Sequence, residues 1–82
     1  MQISGNGELR TLDTFDSLQS IDGRLEITSN HNLTSIAGFG GLTTVDSNLL
    51  IYTNNTLAQI DGFASLGSVT GNVEVRNLGA LL

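Results

Sequence analysis

Residues 33–56 read LTSIAGFGGLTTVDSNLLIYTNNT, and the stretches on either side repeat its spacing: LRTLDTFDSLQSIDGRLEITSNHN at 9–32 and LAQIDGFASLGSVTGNVEVRNLGA at 57–80. A shift of 24 positions superposes all three. Seven columns are then apolar in every copy: Leu9/Leu33/Leu57, Leu12/Ile36/Ile60, Phe15/Phe39/Phe63, Leu18/Leu42/Leu66, Ile21/Val45/Val69, Leu25/Leu49/Val73 and Ile27/Ile51/Val75. Chance is a poor account of such agreement in a chain that is 39% apolar. The opening MQISGNGE fits the end of a preceding copy and Leu81-Leu82 the start of a following one. The chain therefore reads as one solenoid domain over 1–82, with a partial coil at 1–8, coils at 9–32, 33–56 and 57–80, and the start of the next at 81–82. Repeats of this kind bury their apolar side by stacking on their neighbours.

Within a copy the apolar spacing runs 3, 3, 3, 3, 4 and 2. A helix would alternate steps of 3 and 4 along one stripe, and the Gly, Asn and β-branched interruptions disfavour it further. The step of 2 at Leu49-Leu50-Ile51-Tyr52 is strand periodicity, with Leu49 and Ile51 on one face and Leu50 and Tyr52 on the other. Steps of 3 suit short extended pieces joined by corners, for which Asp22-Gly23, Asp61-Gly62, Gly38 and Gly71 offer turn chemistry, glycine accepting positive φ. Each copy closes into one coil, and coils stacked about 4.8 Å apart pair their strands in parallel ladders. The expected fold is all-β, a parallel β-helix-like solenoid of about three 24-residue coils.

Asn6, Asn30 and Asn54 form the one polar column with an evident structural use, three residues after inward Ile3, Ile27 and Ile51. A solenoid corner turns backbone N–H and C=O groups away from water, and an amide carries both the donors and the acceptor needed to satisfy them. The column breaks at Leu78, where the ladder is expected to end. Asn54-Asn55-Thr56 and Asn32-Leu33-Thr34 are also glycosylation sequons. A ladder amide cannot carry a glycan, so Asn54 is read as structural, whereas Asn32 is free to be modified in a secretory host.

The string from Leu42 through Val45, Leu49, Ile51, Asn54, Leu57, Ile60 and Phe63 to Leu66 resembles the leucine-rich-repeat pattern. Its variant LxxIxGFxxLxxVxGNLxIxxN, followed from Leu57 through Asn72 and Val75, is more similar to the receptor L-domain repeat of growth-factor-receptor ectodomains and microbial surface proteins. The resemblance spans essentially the whole chain. It implies a right-handed coil of β-strands and an extracellular or cell-surface recognition role. The family's Cys-rich module and terminal capping helix have no counterpart in these residues, and no ligand motif stands out.

Composition narrows the function. The 82 residues include three Lys or Arg against eight Asp or Glu, a net charge of −5, which leaves no basic patch to neutralise phosphates and makes nucleic acid a poor partner. No run approaches the ~18 apolar residues of a spanning helix, so direct membrane insertion is not expected, and MQISGNGELR has no secretory-signal regions. Without Cys there is no thiolate metal site. Asp22 and Asp46 share a column, but two carboxylates fall short of a calcium site. Asp13 and Asp61 lie two coils apart with Ala37 between, and His31 near Ser29 makes no relay. The expectation is therefore no catalytic, cofactor or metal site.

The outward residues of the Leu-x-Ile strand make two ladders, Gln2-Glu26-Leu50-Glu74 and Ser4-Thr28-Tyr52-Arg76. Glu26, Thr28, Leu50, Tyr52, Glu74 and Arg76 are the candidate ligand face for a protein or carbohydrate, aromatic and Arg groups on a flat sheet being the usual material of recognition surfaces. The plainer reading, which the residues favour, is a solvated sheet with Arg76 lying over Tyr52. The favoured function is a non-catalytic surface recognition or structural module, a fragment of a longer cell-surface protein. The alternative is a self-assembling solenoid, a homo-oligomer joined through uncapped ends. A carbohydrate-cleaving β-helix would gather carboxylates in a cleft, and an ice-binding solenoid would keep an unbroken Thr column; neither pattern is present.

Overall fold

The computed structural model describes residues 1–13, 15–60 and 62–76. Ten strands follow in chain order: β1 Gln2–Ser4, β2 Thr11–Leu12, β3 Ser20–Ile21, β4 Leu25–Thr28, β5 Ser35–Ile36, β6 Thr44–Val45, β7 Leu49–Tyr52, β8 Gln59–Ile60, β9 Ser68–Val69 and β10 Val73–Arg76. They form three parallel sheets, ordered β1-β4-β7-β10, β2-β5-β8 and β3-β6-β9. Paired residues are 24 apart throughout: Leu25 with Leu49 and Leu49 with Val73 in the first sheet, Leu12 with Ile36 and Ile36 with Ile60 in the second. The fold is thus an all-β parallel solenoid of about three turns, as the column alignment requires.

Corners separate the sheets. One is a β-turn begun by the asparagine column, where Leu9, Leu33 and Leu57 donate their N–H to the carbonyls of Asn6, Asn30 and Asn54 at 3.2, 3.1 and 3.0 Å. A second begins at the phenylalanine column, with Leu18, Leu42 and Leu66 donating to Phe15, Phe39 and Phe63 at 3.1, 3.0 and 3.1 Å. One of the four apolar steps of 3, from phenylalanine to leucine, is therefore a turn, and the asparagine turn falls in the longer gap between the Ile27 and Leu33 columns.

The apolar columns fill the interior. Leu25, Ile27, Leu33, Ile36, Phe39, Leu42, Val45 and Leu57 are completely buried. The phenylalanine rings stack with centroids 5.2 Å apart for Phe15 and Phe39 and 5.1 Å for Phe39 and Phe63, at interplanar angles of 11° and 6°. The middle coil has neighbours on both sides and is the driest. On β10, Val73 and Val75 continue two inward columns yet are 57% and 46% exposed.

One expectation needs correction. Among the described residues positive φ occurs at Gly5, Ser29 and Thr53, at 67°, 57° and 56°, and not at Gly23, Gly38, Gly62 or Gly71. The glycines at 62 and 71 answer to space instead. A Cβ at Gly62 would lie 2.6 Å from the Ala37 carbonyl carbon, and one at Gly71 would meet Asn48 Oδ1 and the Ser47 carbonyl. Close stacking of one coil on the next removes the side chain there. Asp61 and Leu78, which the corner and ladder expectations also invoke, lie outside the described residues.

Candidate recognition face and the asparagine ladder

The asparagine column is a continuous hydrogen-bonded ladder. Asn54 Oδ1 accepts from the Asn30 backbone N–H at 3.1 Å and from Asn30 Nδ2 at 3.2 Å, and Asn30 Oδ1 accepts the same pair from Asn6, both at 3.1 Å. The second amide hydrogen turns to the main chain: Asn30 Nδ2 donates to the Ile3 carbonyl at 3.1 Å and Asn54 Nδ2 to the Ile27 carbonyl at 2.9 Å. Asn30 and Asn54 are completely buried. Among the described residues no buried side-chain polar atom lacks a partner, so the interior keeps polar residues without leaving their polar atoms unsatisfied. Burial closes the Asn54 sequon. Asn32 is exposed, and its Nδ2 donates to the Gly7 carbonyl at 2.5 Å.

Sheet β1-β4-β7-β10 carries the candidate ligand face. Parallel pairing in register sets Gln2 beside Glu26, Glu26 beside Leu50 and Leu50 beside Glu74, and sets Ser4, Thr28, Tyr52 and Arg76 in the adjacent ladder. The six candidate residues are therefore neighbours on one sheet face, but they are not equally accessible. Glu26 and Thr28 are only 8% and 5% exposed, and Glu26 is covered by Gln2 and Arg24, whose side chains contact its carboxylate. Leu50 and Tyr52 are half-buried, and Glu74 and Arg76 on β10 are exposed.

Polar contacts tie this face together. Glu26 accepts from Gln2 Nε2 at 3.0 Å and pairs with Arg24 Nε at 3.5 Å. The Arg76 guanidinium lies 4.4 Å from the Tyr52 ring centroid and its Nε is 3.3 Å from Glu74 Oε1. A cation over an aromatic face contributes about 0.5–1 kcal/mol at an exposed site, and an exposed ion pair less than that. The open part of the face is thus the Leu50–Tyr52–Arg76 corner. No concave pocket opens among the described residues, and no group of three metal-ligating side chains converges there. A partner would have to meet a flat surface.

Two further side-chain devices lie outside what the apolar columns announce. Asn48 Oδ1 accepts the Asn72 backbone N–H at 2.7 Å, a second amide contact at the corner before β10. Its only signal in the sequence is that Asn48 and Asn72 share a column. Thr34 and Thr43 bond through both N–H and Oγ1 to the carbonyl 24 residues earlier, Arg10 and Gln19, and Thr56 Oγ1 reaches the His31 and Leu33 carbonyls. These hydroxyls reinforce backbone contacts between coils.

Against known proteins, the chain matches no family model, no curated protein and no solved structure. The resemblance to receptor L-domain repeats accordingly rests on the spacing of its own residues, and the fold on its own coordinates.

Proposed function

We propose that this chain is a non-catalytic recognition module of the cell surface or extracellular space, meeting a protein or carbohydrate through the outward side of β7 and β10. The observation that carries this reading is the Leu50–Tyr52–Arg76 corner: an aliphatic, an aromatic and a guanidinium group in register on a four-stranded sheet, with Tyr52 and Leu50 half-buried and so fixed in place. Aromatic side chains with few rotamers lose little entropy on binding, and aromatic and Arg groups dominate interface energetics. The extracellular setting draws on the resemblance of the columns to receptor L-domain repeats. Labelled chain applied to a glycan array and a panel of purified surface proteins tests the reading. Binding that disappears in Leu50→Ser/Tyr52→Ser, with thermal unfolding still cooperative, supports it; binding that survives the double substitution removes it.

A second reading, self-association into a structural solenoid, is favoured by the exposure of Val73 and Val75 on β10. Sedimentation at rising concentration checks it. A monomer throughout, or an oligomer unaffected by Val73→Thr/Val75→Thr, sinks it.

A further inference from the structure

Each ladder asparagine is also the first residue of a β-turn, so the three rungs present the same backbone followed by three different residues: Gly7, His31 and Asn55. Their surroundings differ as well. Asn30 and Asn54 are completely buried, and their amide nitrogens donate to the carbonyls of Ile3 and Ile27. Asn6 is exposed, and the bond from its Nδ2 runs to Asn30 Oδ1. Gly7 has no atom within 4 Å of where a Cβ would stand, and the bond it accepts from Asn32 Nδ2 falls on its carbonyl, not on its nitrogen. An asparagine amide is lost when the backbone nitrogen of the next residue attacks the side-chain carbonyl carbon. That attack needs rotational freedom in the following residue and an amide that is not held on all sides, and the ring it forms needs access to water to open. A glycine supplies the freedom because it has no Cβ to obstruct the approach.

We propose that Asn6-Gly7 is a site of spontaneous hydrolytic deamidation that opens the asparagine ladder at this rung, while Asn30 and Asn54 are protected. The Gly7 nitrogen loses its proton and bonds to Asn6 Cγ, the Cγ–Nδ2 bond breaks, and ammonia leaves with a proton from solvent. Water then adds to one carbonyl of the five-membered succinimide and the ring C–N bond opens, giving aspartate or isoaspartate at position 6. No electrons are transferred. Aspartate sets a carboxylate oxygen where Nδ2 donated to Asn30 Oδ1, and isoaspartate lengthens the main chain by one methylene between β1 and Leu9. Either product removes a rung beside β1, which is also held by Glu26 N–H to the Met1 carbonyl at 2.9 Å and followed by Gly5 N–H to the Thr28 carbonyl at 3.3 Å.

Incubation of the folded chain in mildly alkaline buffer, followed by peptide mapping, tests the proposal, with a synthetic peptide of residues 1–13 as positive control. The expected result is the mass increment of exchanging NH2 for OH at Asn6, with none at Asn30 or Asn54, and a rate severalfold lower in Gly7→Ala. That variant has room for its methyl group and no left-handed φ to strain it. Should Gly7→Ala not fold, the parent chain kept in mildly acidic buffer, where the backbone nitrogen does not attack at a measurable rate, serves as the unconverted reference. Hydrogen exchange at the Gly5 and Glu26 amides should accelerate as conversion proceeds and stay slow in the unconverted reference. Asn6 remaining intact in the folded chain while the peptide converts would overturn the site. So would conversion of Gly7→Ala at the wild-type rate. Full conversion with unchanged exchange at Gly5 and Glu26 would overturn the opening of the ladder.

Discussion

Two donors of Asn30 converge on one acceptor of Asn54: its Oδ1 takes both the backbone N–H and the side-chain Nδ2 of Asn30, at 3.1 and 3.2 Å, with both residues completely sealed from solvent. A carboxylate at position 30 would keep the shape of the side chain but turn a donor into an acceptor, against Asn54 Oδ1 and the Ile3 carbonyl. Leaving buried polar groups unpaired costs about 1–3 kcal/mol each, more when the group is charged. Asn30→Asp is therefore expected to lose on the order of 3 kcal/mol in urea unfolding at neutral pH, and Asn6→Asp, at an exposed rung, distinctly less. Equal losses at the two positions would show that burial of the ladder contributes nothing.

Thr53 has φ 56° and Ser29 has φ 57°, in the column that Gly5 begins. A β-branched residue is an outlier in that region. Left-handed backbone costs a residue with a Cβ roughly 1–2 kcal/mol, and glycine's larger unfolded-state entropy offsets about half of that gain. Thr53→Gly should raise the thermal midpoint, with a net gain of at most about 1 kcal/mol. An unchanged or lowered midpoint for Thr53→Gly counts against strain at this corner.

Much of this architecture is legible because a repeat converts sequence distance into spatial contact. Any inward residue, such as Phe39, needs only its counterparts at Phe15 and Phe63 to have its neighbours named, and the ladder at Asn30 follows from the same logic. Gly5 apart, the glycines that promise positive φ by type stand in other columns from the one that has it. In that column two of the three residues are Ser29 and Thr53, which carry no backbone signal by type. The burial of Glu26 is illegible for another reason. Alternation assigns a side chain to a face, but whether flanking Gln2 and Arg24 fold over it depends on rotamers that periodicity does not encode.

Gly62 and Gly67 give opposite outcomes for the same substitution. A methyl group at Gly62 would press on backbone, 2.6 Å from the Ala37 carbonyl carbon and 2.7 Å from its Cα, whereas at Gly67 the nearest atom is the Thr43 carbonyl oxygen at 3.9 Å. Overpacking against a frame that cannot move aside costs about 1–3 kcal/mol. Gly62→Ala should lower the denaturation midpoint by an amount in that range, and Gly67→Ala should leave it unchanged or slightly raised through reduced freedom of the unfolded chain. If both variants unfold together with the parent chain, coil spacing at Gly62 is looser than described.

Phe39 lies between two rings and is completely buried, while Phe15 and Phe63 each stack on it and are half-buried. Truncation of a buried phenylalanine costs about 3–5 kcal/mol, of which the cavity is a large part where the surroundings cannot collapse. Parallel strands paired in register above and below hold the coils apart, so a void at the centre persists, while one at either flanking ring can fill from solvent. Phe39→Ala is thus expected to be the most costly of the three truncations by urea titration. In a double-mutant cycle Phe15 and Phe39 should couple by about 0.5–1.5 kcal/mol, and Phe15 and Phe63, separated by the middle ring, by an amount within error of zero. A Phe15–Phe63 coupling as large as that of the stacked neighbours would mean that stability is carried by the column as one unit, and nearest-neighbour additivity between coils would have to be given up.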